Sequence, residues 1–403
     1  MKKFLIVLLV VVLVVGLFAC NNRATPPSGS PPSSGNELPV SSPKPLTGGK
    51  GYKIAIYTDT LDQNEEEYRA AQRAMSKYGP DMIIHQIIPI NFAEEPETLI
   101  SNGLALVSDP KVKALIMNKA VEGATVLFEK VKEIRKDVLL IALNPAENDL
   151  IAKVADIVMQ PNELDQGIAI PKQALKLGAK TFVHYSSPRH MSSPLLSKRR
   201  DIMKEFCATN GMEFVDTAAP DSAGDAAGNL GAANPDTQQF ILEDISHKVA
   251  EYGADTCFFS TNCAMQELLI QASVEQKAIM VQQCCPGPFS GYLGALAIEV
   301  PDDKADDLDF IISAISDKLE EKGVRGRFST WPVPISMLMS DACVEYAVSY
   351  CEGEITGRSD LDEMKASMAK ALAVFDKSDL SISFSQYEDF SNYFLLLCDY
   401  LTF

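Results

Sequence analysis

From Tyr52 onward, short apolar runs alternate with longer stretches in which apolar residues recur every three or four positions. Lys53–Thr58 (KIAIYT), Met82–Ile88, Val112–Met117, Val138–Leu143 and Asp156–Gln160 read as five strands. The central runs are continuous rather than alternating, as expected when helices cover both faces of a parallel sheet. Helices fill the intervals. Asp62 with Glu65 resembles a capping box, and Tyr68, Ala71 and Met75 carry an apolar stripe to Gly79. A second helix is predicted over Glu97–Ser108, and a third carries Val126, Leu127, Val131 and Ile134 on one face.

The same beat then repeats. Thr181–Tyr185, Met212–Thr217, Thr256–Ser260 and Ala278–Gln283 read as strands, and Leu293–Val300 is expected to be another. Helices are predicted over Leu195–Asn210, Thr237–Tyr252, Cys263–Gln276 and from Leu308 to Gly323. The pattern predicts an α/β protein of two doubly wound, parallel-sheet (Rossmann-like) lobes in tandem. Asn162 to Gly178 reads as a crossing between them. The extended Arg327–Pro334 leads into a long helix, Ile335–Cys351, expected to pack back on the first lobe. Two or more crossings make a multi-strand hinge. The expected division is 51–164 plus about 332–378 for lobe 1 and 165–331 for lobe 2. Residues 379–403 form an aromatic segment whose lobe the pattern does not assign.

The chain has 403 residues, enough for two or three domains, with 46% hydrophobic and 22% charged residues. That excludes a largely disordered chain and a polytopic membrane protein. Its net charge is −18, and the first 50 residues are basic, which leaves residues 51–403 at −22. A body this acidic, with no Lys/Arg stripe, repels phosphate backbones, so no nucleic-acid partner is expected. Lys2 and Lys3 precede an unbroken apolar run, Phe4 to Ala19, too short to span a bilayer and suited to a signal peptide over residues 1–19. Residues 21–50 hold seven Pro, six Ser and four Gly and read as a disordered tether.

Several segments carry resemblances. Leu17-Phe18-Ala19-Cys20 resembles the lipobox of bacterial lipoproteins, although Phe is less usual at its second position. This implies cleavage before Cys20 and lipid, palmitate among its chains, on the new terminus. The body is then extracytoplasmic and held to a membrane through the anchor alone. Four places resemble the type I periplasmic-binding-protein-like solute receptors of ABC transporters. They are Thr58-Asp59-Thr60 after the first strand, Gln160-Pro161-Asn162…Asp165-Gln166-Gly167, Phe259-Ser260-Thr261-Asn262-Cys263-Ala264, and Trp331-Pro332…Ser340-Asp341-Ala342. The chain is also similar to a group of lipoproteins in that superfamily without an established ligand. The 218–235 loop, Cys284-Cys285-Pro286-Gly287-Pro288 and the tail after 376 depart from the common sugar binders. The resemblance implies a small polar solute (sugar, nucleoside or amino-acid-like) caught between lobes, an ABC permease as partner, and no enzymatic activity.

Ligands in such folds bind beyond the carboxyl ends of the strands. The candidates are Thr58, Asp59, Asn118, Lys119, Asn144 and Asn162 from the first lobe, and Tyr185, Arg189, Asn262 and Gln283 from the second, with Trp331 at the second crossing. Amides and carboxylates suit hydroxyl-rich ligands, rings can stack on a sugar face, and Arg189 could grip an anion. Plainer roles stand beside these: Asp59 as a helix cap, the asparagines as turn residues, Arg189 and His190 as solvated loop residues, Trp331 as a hinge wedge. A membrane-kinase-coupled sensor and a cleft hydrolase are the rival functions. No GxxxxGK[ST], HExxH or GxSxG occurs, so no catalytic residue or cofactor is expected. Eight cysteines follow Cys20 without a CxxC, and His is scarce, so no metal site is expected. The vicinal Cys284-Cys285 leaves open a disulfide, a soft-metal contact or plain structural thiols.

Overall fold

The computed structural model describes residues 51–61, 64–89, 92, 94–220, 235–305 and 307–403. The signal peptide, Cys20, the tether, Asp62 and most of the 218–235 loop lie outside the described residues, as does the side chain of Arg189.

The first lobe is built on β1 (Lys53–Thr58), β2 (Ile83–Ile87), β3 (Val112–Met117), β4 (Leu139–Leu143) and β5 (Ile157–Pro161). Their apolar runs pair in parallel, and β4 and β5 are buried throughout. Helices α1 (Glu65–Tyr78), α2 (Pro96–Ser108), α3 (Ala124–Ile134) and α4 (Asn148–Val154) connect them. The first is capped by Asn64, whose side chain accepts from the Glu67 amide. Two strands near the C-terminus complete this sheet. With β10 (Ile382–Tyr387) and β11 (Phe390–Cys398) its order is β10-β11-β5-β4-β3-β1-β2, with β11 parallel to β5 and β10 antiparallel at the edge.

The second lobe carries α5 (Glu163–Lys176), β6 (Thr181–Ser186), α6 (Pro188–Met191), α7 (Pro194–Thr209), β7 (Glu213–Ala218), α8 (Pro235–Tyr252), β8 (Thr256–Ser260) and α9 (Gln266–Glu275). Its core sheet is ordered β7-β6-β8, all parallel. Residues 278–283 extend it through single bridges, Cys257 to Ile279 and Met280 to Phe328, rather than through a full ladder. The expected strand at Leu293–Val300 is absent. There, Gly291 at φ +78° turns the chain into the short helix α10 (Tyr292–Ala295), and Tyr292 and Leu296 enter the core. The apolar run thus reflects burial, which a short helix satisfies as well as a strand. After α11 (Leu308–Glu321), β9 (Ser329–Thr330) leads to α12 (Ile335–Glu352) and α13 (Leu361–Val374), which pack on each other, with α12 also against α1 and β3.

Among the described residues the chain passes between the sheets three times: at Asn162 after β5, at Trp331–Pro334 after β9, and between β11 and β12 (Leu401–Thr402), which pairs with β9. The crossings are tied together. The Asn162 amide donates to the Leu396 carbonyl, its side chain donates to Ser385, and the Tyr400 hydroxyl donates to Gln282. The C-terminal aromatic segment therefore joins the first sheet and, through β12, a separate two-stranded sheet with β9.

Packing is tight where α5 crosses α7. A Cβ on Gly167 would lie 2.8 Å from Ile202 Cβ and 3.1 Å from the Arg199 carbonyl. At Gly103 a Cβ would meet only side-chain atoms of Leu127, at 2.5–3.1 Å, which can shift more readily than the Arg199 backbone at Gly167. Gly167→Ala is expected to destabilise by about 1–3 kcal/mol through overpacking, whereas in Gly103→Ala about 1 kcal/mol of helix propensity offsets the milder crowding. Urea unfolding of the two variants checks the contrast.

Candidate functional site

In the first sheet β1 lies between β2 and β3, and strand order reverses between β3 and β1. That is the topological switch point, where a crevice opens beyond the strand ends. Thr58-Asp59 leaves β1 there and Asn118-Lys119 leaves β3. Lys119 Nζ meets Asp59 Oδ2 at 2.8 Å, with the carboxylate buried and the lysine partly open. Burial works to lower the Lys119 pKa, but Asp59 and Glu67 outweigh it and hold the ammonium more firmly charged. Asn118 Nδ2 donates to Ser340 Oγ on α12 at 2.9 Å, anchoring this edge to the late helix.

The first turn of α1 adds two acids that the sequence reading did not single out. Glu66 and Glu67 are 5% and 2% exposed, and burial raises both carboxyl pKa values well above the usual range. Neither oxygen of Glu66, nor Oε2 of Glu67, has a hydrogen-bond partner. The signal was present in Glu65-Glu66-Glu67 at a helix start, but only the fold shows which of the three point inward.

The second lobe has its own switch point between β6 and β8. Thr261, Asn262 and Cys263 leave β8 there, and His190 Nδ1 bonds Thr261 Oγ1 at 2.9 Å. One strand over, residues 278–283 end in Cys284 and Cys285. Cys263 Sγ stands 2.6 Å from Cys284 Sγ and 3.5 Å from Cys285 Sγ, and the vicinal pair are 4.0 Å apart. Hydrogen bonds from the two neighbouring thiols, with Lys119 assisting, hold the Cys263 pKa well below its ordinary value. Charge interactions run from Lys119 and Glu67 to Cys263 and from Glu66 and Glu67 to Cys285, so the two switch points face one another. A Cβ on Gly287 would come within 2.7 Å of the Pro334 backbone, so glycine lets this loop pack against the second crossing, with Glu66 Oε1 3.1 Å from the same point.

The remaining candidates are placed differently. Gln283 braces that loop: its Nε2 donates to the carbonyls of Gly287 and Ser290, and its Oε1 accepts from Thr330. Asn162 caps α5, accepting from the Asp165 amide. Tyr185 is fully buried against α8, its hydroxyl donating to Asp244, away from the strand ends. Trp331 is fully buried in the second crossing beside Tyr400. Asn144 holds a left-handed turn at the end of β4, with φ +46°. Thr58, Asp59, Asn118, Lys119 and Asn262 are thus the members brought to the facing strand ends. A separate groove of about 840 Å³ lies beside α5 and the third crossing, lined by Lys172, Lys176, Leu397 and Tyr400 among others.

A family model described as a protein of unknown function, DUF3798, matches residues 52–329. The chain belongs to this family. Two uncharacterized proteins of Treponema pallidum (strain Nichols) are each 35% identical to it, over 189 and 179 residues. Each match takes in 44% of this chain, with 86% and 80% of the respective relatives covered. A solved putative transcriptional regulator from Clostridium difficile 630 superposes with a TM-score of 0.70 at 23% identity, covering 87% of this chain and 99% of that one. An ABC transporter solute-binding protein from Clostridium phytofermentas, with bound L-rhamnose, gives 0.51 at 10% identity over 87% and 95%. At these identities the likeness establishes the fold, which is that of type I periplasmic-binding proteins.

The Thr58 side of the site has a pH limit. Thr58 donates its hydroxyl proton to the Asp59 carbonyl at 2.7 Å, so it accepts from His85 Nε2–H, also at 2.7 Å. The other ring nitrogen, Nδ1, faces the Gln72 amide nitrogen at 3.0 Å and accepts from it. A second ring proton would meet a donor, and burial lowers the His85 pKa from 6.5 to about 4. Below pH 6.5 the unfolded chain gains a proton that the folded chain refuses until about pH 4, so stability is lost as pH falls through this window. The loss from His85 should reach about 2 kcal/mol at pH 5. Denaturant unfolding at pH 7 and 5 should show that His85→Gln removes this part of the pH dependence.

Proposed function

We propose that the protein is a receptor that captures a small ligand between its two lobes. It closes on that ligand about the triple hinge and presents the closed form to an ABC permease. The observation that carries this reading is the opposition of the two switch points. Each is where a doubly wound sheet binds ligands, and between them they supply charged, amide and thiol groups. Closure makes docking ligand-dependent, because only the closed form aligns both lobes with a partner. Cys20 is the anchor in this reading, lipidated after signal-peptide cleavage and tethered by residues 21–50 outside the cytoplasm. Among the described residues no helix is long and apolar enough to cross a membrane.

A second reading, an effector-binding domain of a transcriptional regulator, is favoured by the likeness to the Clostridium difficile protein. The acidity of residues 51–403 opposes direct contact with DNA, and a mobility-shift assay at low salt is expected to show none.

Native mass spectrometry of protein purified without refolding should reveal a bound small species. Adding that species at a hundredfold excess over Kd should stabilise the fold by about 2.7 kcal/mol. Substituting Asp59 and Asn262 together by Ala should lose most of that ligand-induced shift. An unchanged shift would remove the strand-end cleft as the binding site. In cells, Cys20→Ser should abolish incorporation of labelled palmitate and move the protein from the membrane to the soluble fraction.

A further inference from the structure

Three thiols that the sequence separates by 21 residues converge at the second lobe's strand ends. Among the described residues they form the one group of three metal-ligating side chains whose donor atoms all lie within 4.8 Å of one another. No disulfide joins them. Cys263 is exposed and Cys284 and Cys285 are half-buried, so the triangle opens to solvent on one side and is backed by protein on the other. The backing is rigid. Gln283 clamps the 287–290 turn, and the Gly287 amide donates to Thr330 at 3.0 Å. Opposite the sulfurs stand Glu66, Glu67 and Asp59, with Lys119 the cation among them, and Glu163 also acts on Cys285. Glu67 brings a buried, unpartnered carboxylate oxygen to this space.

We propose that Cys263, Cys284 and Cys285 form a three-thiolate site for a soft d10 metal ion, Zn²⁺ or Cu⁺, and that this ion is the species captured in the cleft. The proposal rests on the receptor reading above and names its ligand class. Three thiolates select soft ions, and a trigonal sulfur set suits Cu⁺, whereas Zn²⁺ takes a fourth ligand. Glu67, outside the cluster of three sulfurs in this structure, would supply one only by moving in from the opposite lobe, which would couple binding to closure. Two sulfurs on a zinc ion at 2.3 Å stand roughly 3.8 Å apart. The 3.5 and 4.0 Å edges of the triangle bracket that spacing, and the 2.6 Å edge opens to it by a turn of the exposed Cys263 side chain. A cation bound there would draw the neighbouring Glu66 and Glu67 carboxyls toward their charged form, whereas an anion would hold them neutral. On binding, the three sulfurs become thiolates and their protons pass to solvent, with no change in oxidation state.

The test uses the full-length protein, reduced and stripped of metal, titrated separately with Zn²⁺ and with Cu⁺ under anaerobic conditions. Elemental analysis should give one ion per chain for at least one metal. Cys263→Ser should weaken that binding by at least tenfold, and Cys284→Ser likewise. Cys207→Ser, a buried thiol elsewhere in the second lobe, should leave it unchanged. Because Cys284 is in a braced loop, the exposed Cys263 variant keeps the test decisive if Cys284→Ser fails to fold. Failure of both metals to bind stoichiometrically overturns the proposal, as does binding that survives Cys263→Ser. Small-angle scattering separates the two levels. Metal-induced contraction, lost in Glu67→Gln, supports the ion as cargo of the cleft. Tight binding to the thiols without contraction overturns the ion's role as cargo and counts against the receptor reading, while leaving the three-thiolate site in place. A different solute that contracts the protein while neither metal binds keeps the receptor and removes the metal.

Discussion

The geometry of the cleft depends on three chain crossings that hold two sheets with their strand ends toward one another. Any one crossing would leave the lobes free to swivel. Three of them, linked through Asn162, Leu396, Ser385, Gln282 and Tyr400, leave opening and closing as the compliant motion. The tail that follows α13 is structural in this sense. It lays β10 and β11 on the first sheet, then crosses to pair β12 with β9 in a two-stranded sheet of their own.

The cleft concentrates groups that are costly to bury. Asp59 and Lys119 offset one another at 2.8 Å, but among the described residues no ion pair reaches Glu66 or Glu67, and burial leaves them favouring the neutral form despite Lys119 acting on Glu67. Elsewhere the protein pairs buried charge, as Arg199 does with Glu163 at the start of α5 and Arg73 of α1 with Asp341 of α12. The unpaired acids therefore mark the strand-end region as different from the rest of the interior. Perturbed groups clustered in a crevice are characteristic of working sites.

Much of the fold could be read from the chain. Lys53–Thr58 and Val112–Met117 are strands because unbroken β-branched and aliphatic runs of that length bury well only inside a helix-covered sheet. The same logic misled at Leu293–Val300, where Gly291 and the space around Tyr292 selected a helical turn. Asn118 and Lys119 were legible as strand-end residues, and the strand order put them beside Asp59. Tyr185 and Gln283 met the same criterion, yet Tyr185 turns to the helix layer and Gln283 is spent on bracing its own loop.

Local pattern alone determined the alternation of strand and helix, the tandem halves and the acidic surface, because each follows from side-chain periodicity and composition. Tertiary structure decided the rest. Cys263 meets Cys284 and Cys285 only because their parent strands are neighbours, and Glu67 comes near enough to act on Cys285 only because the hinge turns one lobe toward the other. Such contacts depend on strand order and lobe orientation, quantities set by packing across the whole molecule, which no spacing along the chain encodes.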